Sequence, residues 1–125
     1  MAKILIIDDM EPIRQSINII LSANGHDIDE AENGLLGLEK IKSEGYDLII
    51  TDILMPEKDG TELLMQLKSD GIKSPVLAIS GGGSFVPGDY ALSLAENYAD
   101  AVLRKPFGKN DLKQAVEKLL AAAVA

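Results

Sequence analysis

The chain has 125 residues, a net charge of −8, an isoelectric point near 4.5, and 46% hydrophobic and 26% charged residues. One hydrophobic core is within reach of such a length, the composition is that of a soluble globular protein, and no apolar run approaches the ~18 residues of a membrane span. The acidic balance argues against nucleic acid as a direct partner, and the lack of cysteine removes disulfides and thiolate metal sites.

Met1-Ala2-Lys3 leads straight into a strand without a signal-peptide segment, so a cytoplasmic location is expected. Lys3-Ile4-Leu5-Ile6-Ile7 is a nearly continuous apolar run, the pattern of a strand covered on both faces, and it stops at Asp8-Asp9. Pro12 stands in the first turn of a helix on which Ile13, Ile17, Ile20 and Leu21 recur at helical spacing, and Asn24-Gly25 stops it. His26 to Ala31 reads as a short, polar second strand, with His26 itself in a solvated turn. Asn33 caps a second helix whose apolar face includes Leu35, Leu38 and Ile41, with Gly45 ending it.

Leu48 to Thr51 forms a buried strand that delivers Asp52 to its C-terminal end, just before a turn imposed by Pro56 and Asp59-Gly60. A third helix begins at about Thr61, with Leu63, Leu64 and Leu67 facing inward and Gly71 past its end. Pro75 opens a fourth strand, Val76 to Ile79, which ends at Ser80. A glycine-rich loop, Gly81 to Gly88, then leads to a fourth helix around Asp89 to Asn97. Ala101 to Arg104 is the fifth strand, ahead of Lys105-Pro106. The last helix runs from about Lys109 to Ala122, with Leu112, Val116, Leu119 and Leu120 on one face and a fraying Ala-rich end.

Strands alternating with helices make an α/β protein with a parallel sheet, expected as a single domain over residues 1–125 without an attached effector domain. Right-handed crossovers place the carboxyl ends of all strands on one edge, where ligands bind in open α/β sheets. Asp8-Asp9, Asp52, Ser80 and Lys105 follow strands one, three, four and five. Each has a plainer reading: Asp52 as a turn cap, Asp8-Asp9 as the acidic start of a helix, Ser80 as a loop serine, Lys105 as a surface lysine. Their coincidence on four strand ends favours chemistry. Three converging carboxylates repel one another, and oxygen-only ligands suit a hard divalent cation such as Mg2+. A carboxylate beside that cation can attack a phosphoryl group to give an aspartyl phosphate, with Lys105 supplying a point charge and Ser80 a hydrogen bond.

Four motifs carry a family resemblance: Ile6-Ile7-Asp8-Asp9; Thr51-Asp52-Ile53-Leu54-Met55-Pro56 with Asp59-Gly60; Ala78-Ile79-Ser80; and Lys105-Pro106-Phe107. In this order and spacing the chain resembles the receiver domain of two-component response regulators, the CheY-like family, over essentially its whole length. CheY is itself a stock example of the strand-edge rule, so the strand order 2-1-3-4-5, with helices on both faces, is carried over from the family. The resemblance implies that Asp52 is the phosphoacceptor and that the phosphoryl group comes from a histidine kinase or phosphotransfer protein. It also implies a Mg2+ site made by Asp9 directly, Asp8 through water, Asp52, and the backbone carbonyl of Leu54. Lys105 would bridge to the phosphoryl oxygens, and Ser80 would move toward them. That movement would remodel the fourth helix, fifth strand and fifth helix, the expected surface for a downstream protein. No free substrate is turned over beyond the protein's own phosphoryl transfer and a slow self-dephosphorylation.

Two positions depart from the family pattern. Val102 stands where many members carry an aromatic residue three positions before the lysine, and Gly81-Gly82-Gly83 gives the loop after the fourth strand many backbone states. Leu54 and Gly82 offer no polar side chain to orient a hydrolytic water, which is why slow dephosphorylation is expected. Other functions fit less well. A haloacid dehalogenase-type phosphatase needs an Asp-x-Asp nucleophile motif, but here the acids are adjacent; a flavin binder needs a phosphate loop where Asp8-Asp9-Met10-Glu11 would repel one. A phosphorylation-independent receiver-like interaction module is the remaining alternative.

Overall fold

Two segments, Lys3–Ile7 (β1) and Leu48–Asp52 (β3), are buried almost throughout and occupy the interior of the sheet, where side chains must be covered on both faces. The computed structural model describes residues 2–53, 60–80 and 98–124. β2 (Asp27–Ala31), β4 (Val76–Ser80) and β5 (Ala101–Arg104) complete a parallel sheet in the order β2-β1-β3-β4-β5, the order the resemblance implies. The polar β2 and the short β5 lie at the edges. In register, Ile7 stands opposite both Ala31 and Thr51, Asp52 opposite Ile79, and Ser80 opposite Arg104. The carboxyl ends therefore line up along one edge.

Successive strand residues point to opposite faces, so the sheet has two cores. On one face Leu5, Ile7, Ile49 and Ala78 pack with Leu38 and Ile41 of α2 (Gly34–Ser43) and with Leu63, Leu64 and Leu67 of α3 (Gly60–Ser69). On the other, Ile4, Ile6, Ile50, Leu77 and Ile79 meet Ile17 and Leu21 of α1 (Glu11–Ala23) and Leu112 and Val116 of the C-terminal helix, Lys109–Val124. Each buried aliphatic side chain contributes about 1.5–3 kcal/mol of transfer free energy. The helical periodicity of Ile13, Ile17, Ile20 and Leu21 thus has a physical counterpart in one helix face turned to the sheet.

Several local expectations hold. Asn33 Oδ1 accepts from Leu36 N at 2.8 Å, capping α2. Gly25 (φ +89°) and Gly71 (φ +71°) adopt the left-handed conformation that ends α1 and α3. Phe107 packs on the second core.

Others are corrected. Leu35 does not face inward; it is 50% exposed, and Gly34 and Gly37 are buried instead. A Cβ on Gly37 would lie 2.5 Å from Ile7 Cδ1, so the missing side chain lets α2 settle on β1 and turns Leu35 outward. α2 ends at Ser43 with an extended C-cap at Glu44, so Gly45 is not a left-handed stop. The C-terminal helix continues to Val124 rather than stopping near Ala122. His26 is half-buried, with Nδ1 accepting from Ala2 N at 3.1 Å, not a freely solvated turn residue. The expected loop of residues 81–88 and helix of residues 89–97 lie outside the described residues, as does the turn at Pro56 and Asp59. Among the described residues no helix is long and apolar enough to cross a membrane.

Candidate functional site

At the carboxyl end of β1 the chain turns sharply and brings Asp8 under the sheet edge. Asp8 N donates to Ala31 O at 3.1 Å, and Asp8 Oδ1 accepts from Met10 N at 2.9 Å. Its side chain is buried, with the residue only 1% exposed, while Asp9 is exposed. Asp52 closes β3 and is 5% exposed, and the Thr51 hydroxyl donates to the Asp52 carbonyl at 2.9 Å. Ile53 N donates to Ile79 O at 3.1 Å, which ties the residue after Asp52 to β4.

Lys105 arrives from the end of β5. Its amide donates to Ser80 O at 2.9 Å, and its ammonium lies 3.4 Å from Asp52 Oδ2. The Lys105–Pro106 peptide bond is cis. Ser80 ends β4 half-buried. The four strand ends named from the sequence thus meet at one edge. Leu54, expected to offer a backbone carbonyl, and Gly82 lie outside the described residues.

One carboxylate oxygen from each of Asp8, Asp9 and Asp52 falls within 4.8 Å of the others. Burial pushes the Asp8 carboxyl up to about 6; the hydrogen bond from Met10 opposes this, Asp52 and Asp9 add repulsion, and Lys105 relieves part of it. Asp8 Oδ2 is buried and has no hydrogen-bond partner among the described residues. A buried oxygen in that condition, in a cluster of oxygen donors only, fits a hard cation such as Mg2+.

The sequence reading missed the polar residues behind the turn: Arg14, Asn18 and Glu30, joined in one hydrogen-bonded group. No motif announces them, since Arg14 and Asn18 sit on the polar side of α1 and Glu30 in a strand already read as polar. Val102, where an aromatic side chain was anticipated from the family, is half-buried and packs against the first core.

A doubly wound sheet in this order, with an acidic crevice at its carboxyl edge, is the architecture of CheY-like receivers. Residues 4–117 match the response regulator receiver domain family. The chain belongs to that family. It is 34% identical over 118 residues to the response regulator MprA of Mycobacterium ulcerans (strain Agy99), an alignment covering 94% of this chain and 50% of that protein. The chain thus spans about half the length of the curated relatives it matches. The receiver domain of Francisella response regulator 1452 superposes with a TM-score of 0.87 at 31% identity, covering 98% of each chain. A response regulator receiver domain protein from Clostridium thermocellum gives a TM-score of 0.86 at 30% identity, covering 98% of this chain and 96% of the other.

Proposed function

We propose that Asp52 accepts a phosphoryl group from the phosphohistidine of a histidine kinase or phosphotransfer protein, in a Mg2+-dependent reaction, and that the product signals by phosphorylation-dependent protein contact. The observation that carries this reading is the Asp52 carboxylate, nearly buried at the end of an interior strand with the Lys105 ammonium 3.4 Å away. An Asp52 oxygen attacks phosphorus in line, the P–N bond of the donor breaks, and its electron pair leaves with the imidazole. Lys105 holds positive charge beside the transferred group, and the Ser80 hydroxyl would donate a hydrogen bond to one of its oxygens.

Asp8, Asp9 and Asp52, with the Leu54 carbonyl, would hold Mg2+, which when bound neutralises the carboxylates and the phosphoryl oxygens. The chain turns over no free substrate on this reading. Its partners are the phosphohistidine donor and a downstream protein met through the surface of β5, the C-terminal helix and the helix expected over residues 89–97, without direct nucleic-acid or membrane contact and in the cytoplasm. The Lys105 N to Ser80 O bond ties the residue after β5 to the end of β4, a contact through which a change at the acceptor edge would reach β5.

Intact mass after incubation with Mg2+ and acetyl phosphate tests the reading. A single phosphate added to the wild type, absent in Asp52→Asn and abolished by chelation, is the expected result. An adduct retained by Asp52→Asn, or none with several donors, would overturn it.

A further inference from the structure

The turn that carries Asp8 and Asp9 is tied down from behind by side chains that take no part in the chemistry above. Arg14 Nη1 donates to the Asp8 backbone carbonyl at 2.7 Å, and Arg14 Nε donates to Glu30 Oε1 at 2.7 Å. Glu30 Oε2 accepts from Asn18 Nδ2 at 2.5 Å. The strap therefore runs from α1 to β2 and grips the peptide that joins the two acidic residues. The Arg14 side chain is only 13% exposed, so this is a partly desolvated contact. The hydrogen bond from Asn18, then the hydrogen bond and charge of Arg14, hold the Glu30 carboxyl below its ordinary range against the opposing effect of burial. Glu30 thus stays ionised and balances the guanidinium.

Asp9 is exposed, so the direction of its carboxylate follows the backbone rather than packing. Without a cation, repulsion among Asp8, Asp9 and Asp52 works against the convergence of their carboxylates, whose oxygens lie within 4.8 Å of one another. A donor fixed on the Asp8 carbonyl holds the peptide in place against that repulsion. Arginine suits the task because its planar fork presents several N–H groups at set angles, where lysine has a single point of charge.

We propose that Arg14, anchored by Glu30, is a positioning residue that orients the Asp8–Asp9 peptide so that the acidic side chains converge on Asp52 ready for a divalent cation. This rests on the Mg2+-dependent reading of the site. Arg14 touches neither the cation nor the phosphoryl group and acts through the backbone.

The test is calorimetric titration of Mg2+ into wild type, Arg14→Ala, Arg14→Lys and Glu30→Ala, at a temperature where all are folded. Ile17→Val, a cavity on the buried face of the same helix away from the turn, serves as the stability control. Arg14→Ala should weaken Mg2+ binding about 10-fold, the scale of losing an outer partner of a metal ligand. Arg14→Lys should not restore it, Glu30→Ala should shift it in the same direction, and Ile17→Val should leave it unchanged. At saturating Mg2+, labelling of Arg14→Ala by acetyl phosphate should return to within about twofold of wild type, as expected of a defect confined to cation capture. Mg2+ affinity of Arg14→Ala within about twofold of wild type, or an equal loss in Ile17→Val, would overturn the proposal. Wild type that binds no Mg2+ would remove the metal reading and this proposal together, whereas wild-type binding with an unaltered Arg14→Ala removes the strap alone.

Discussion

The Lys105 ammonium lies 3.4 Å from Asp52 Oδ2, although 53 residues separate the two in the chain. Lysine 105 is 22% exposed at its side chain and Asp52 6%, so the pair is partly desolvated and sits between surface and buried ion pairs in strength.

Lys105→Met keeps the length of the stem and removes the charge. Without the ammonium the carboxylates lose their compensation, and the metal-free protein should lose about 1–2 kcal/mol near neutral pH. Phosphoryl uptake from acetyl phosphate should slow on the order of 10- to 100-fold, as for other groups that face developing charge. Urea denaturation and time-resolved intact mass measure the two effects; an unchanged labelling rate would contradict the role given to Lys105.

Asp8 supplies a pH dependence. Its folded value of about 6 stands above the ordinary 3.8, because burial and the neighbouring carboxylates penalise ionisation. Below about pH 4 the group is protonated whether folded or unfolded, and the penalty is absent; above about pH 6 it is complete. Stability from this group therefore falls as pH rises through that window. Asp8→Asn, which keeps an acceptor for Met10 N, should stabilise the metal-free protein near neutral pH by on the order of 2–3 kcal/mol. The gain should shrink toward zero near pH 4, read from urea midpoints in the presence of a chelator.

Gly37 predicts a coupled pair. An added Cβ meets Ile7 Cδ1 at 2.5 Å and Ile7 Cγ1 at 2.8 Å, inside a packed core. Gly37→Ala should cost about 1–2 kcal/mol net, overpacking outweighing the gain in helix propensity. Ile7→Val deletes the nearer atom, so the double variant should be more stable than the sum of the single changes predicts. Additive thermal shifts in the cycle would show that the close approach is not what sets the cost.

Asn33→Ala removes the acceptor that caps α2 at Leu36 N. A loss of about 1 kcal/mol is expected, with Asn33→Asp near wild type, since either side chain satisfies the same amide. Equal denaturation midpoints for Asn33→Ala and wild type would show the cap to be energetically idle.

What the sequence by itself determined was the alternation of strands and helices and the residues at the strand ends. Both are short-range: apolar runs such as Ile4 to Ile7 and Leu48 to Ile50 can be covered only in a two-sided sheet, and Asp8, Asp52, Ser80 and Lys105 stop those runs where they emerge. The order of the strands came from family likeness, because periodicity does not say which strand pairs with which. Only the tertiary structure decided that Leu35 faces solvent, since the orientation of α2 depends on how closely Gly37 can approach Ile7. It also decided which polar residues are tied to the acidic turn. Arg14 and Glu30 look like ordinary surface charges along the chain, and only when α1 and β2 pack side by side does Glu30 hold the guanidinium that donates to the Asp8 carbonyl.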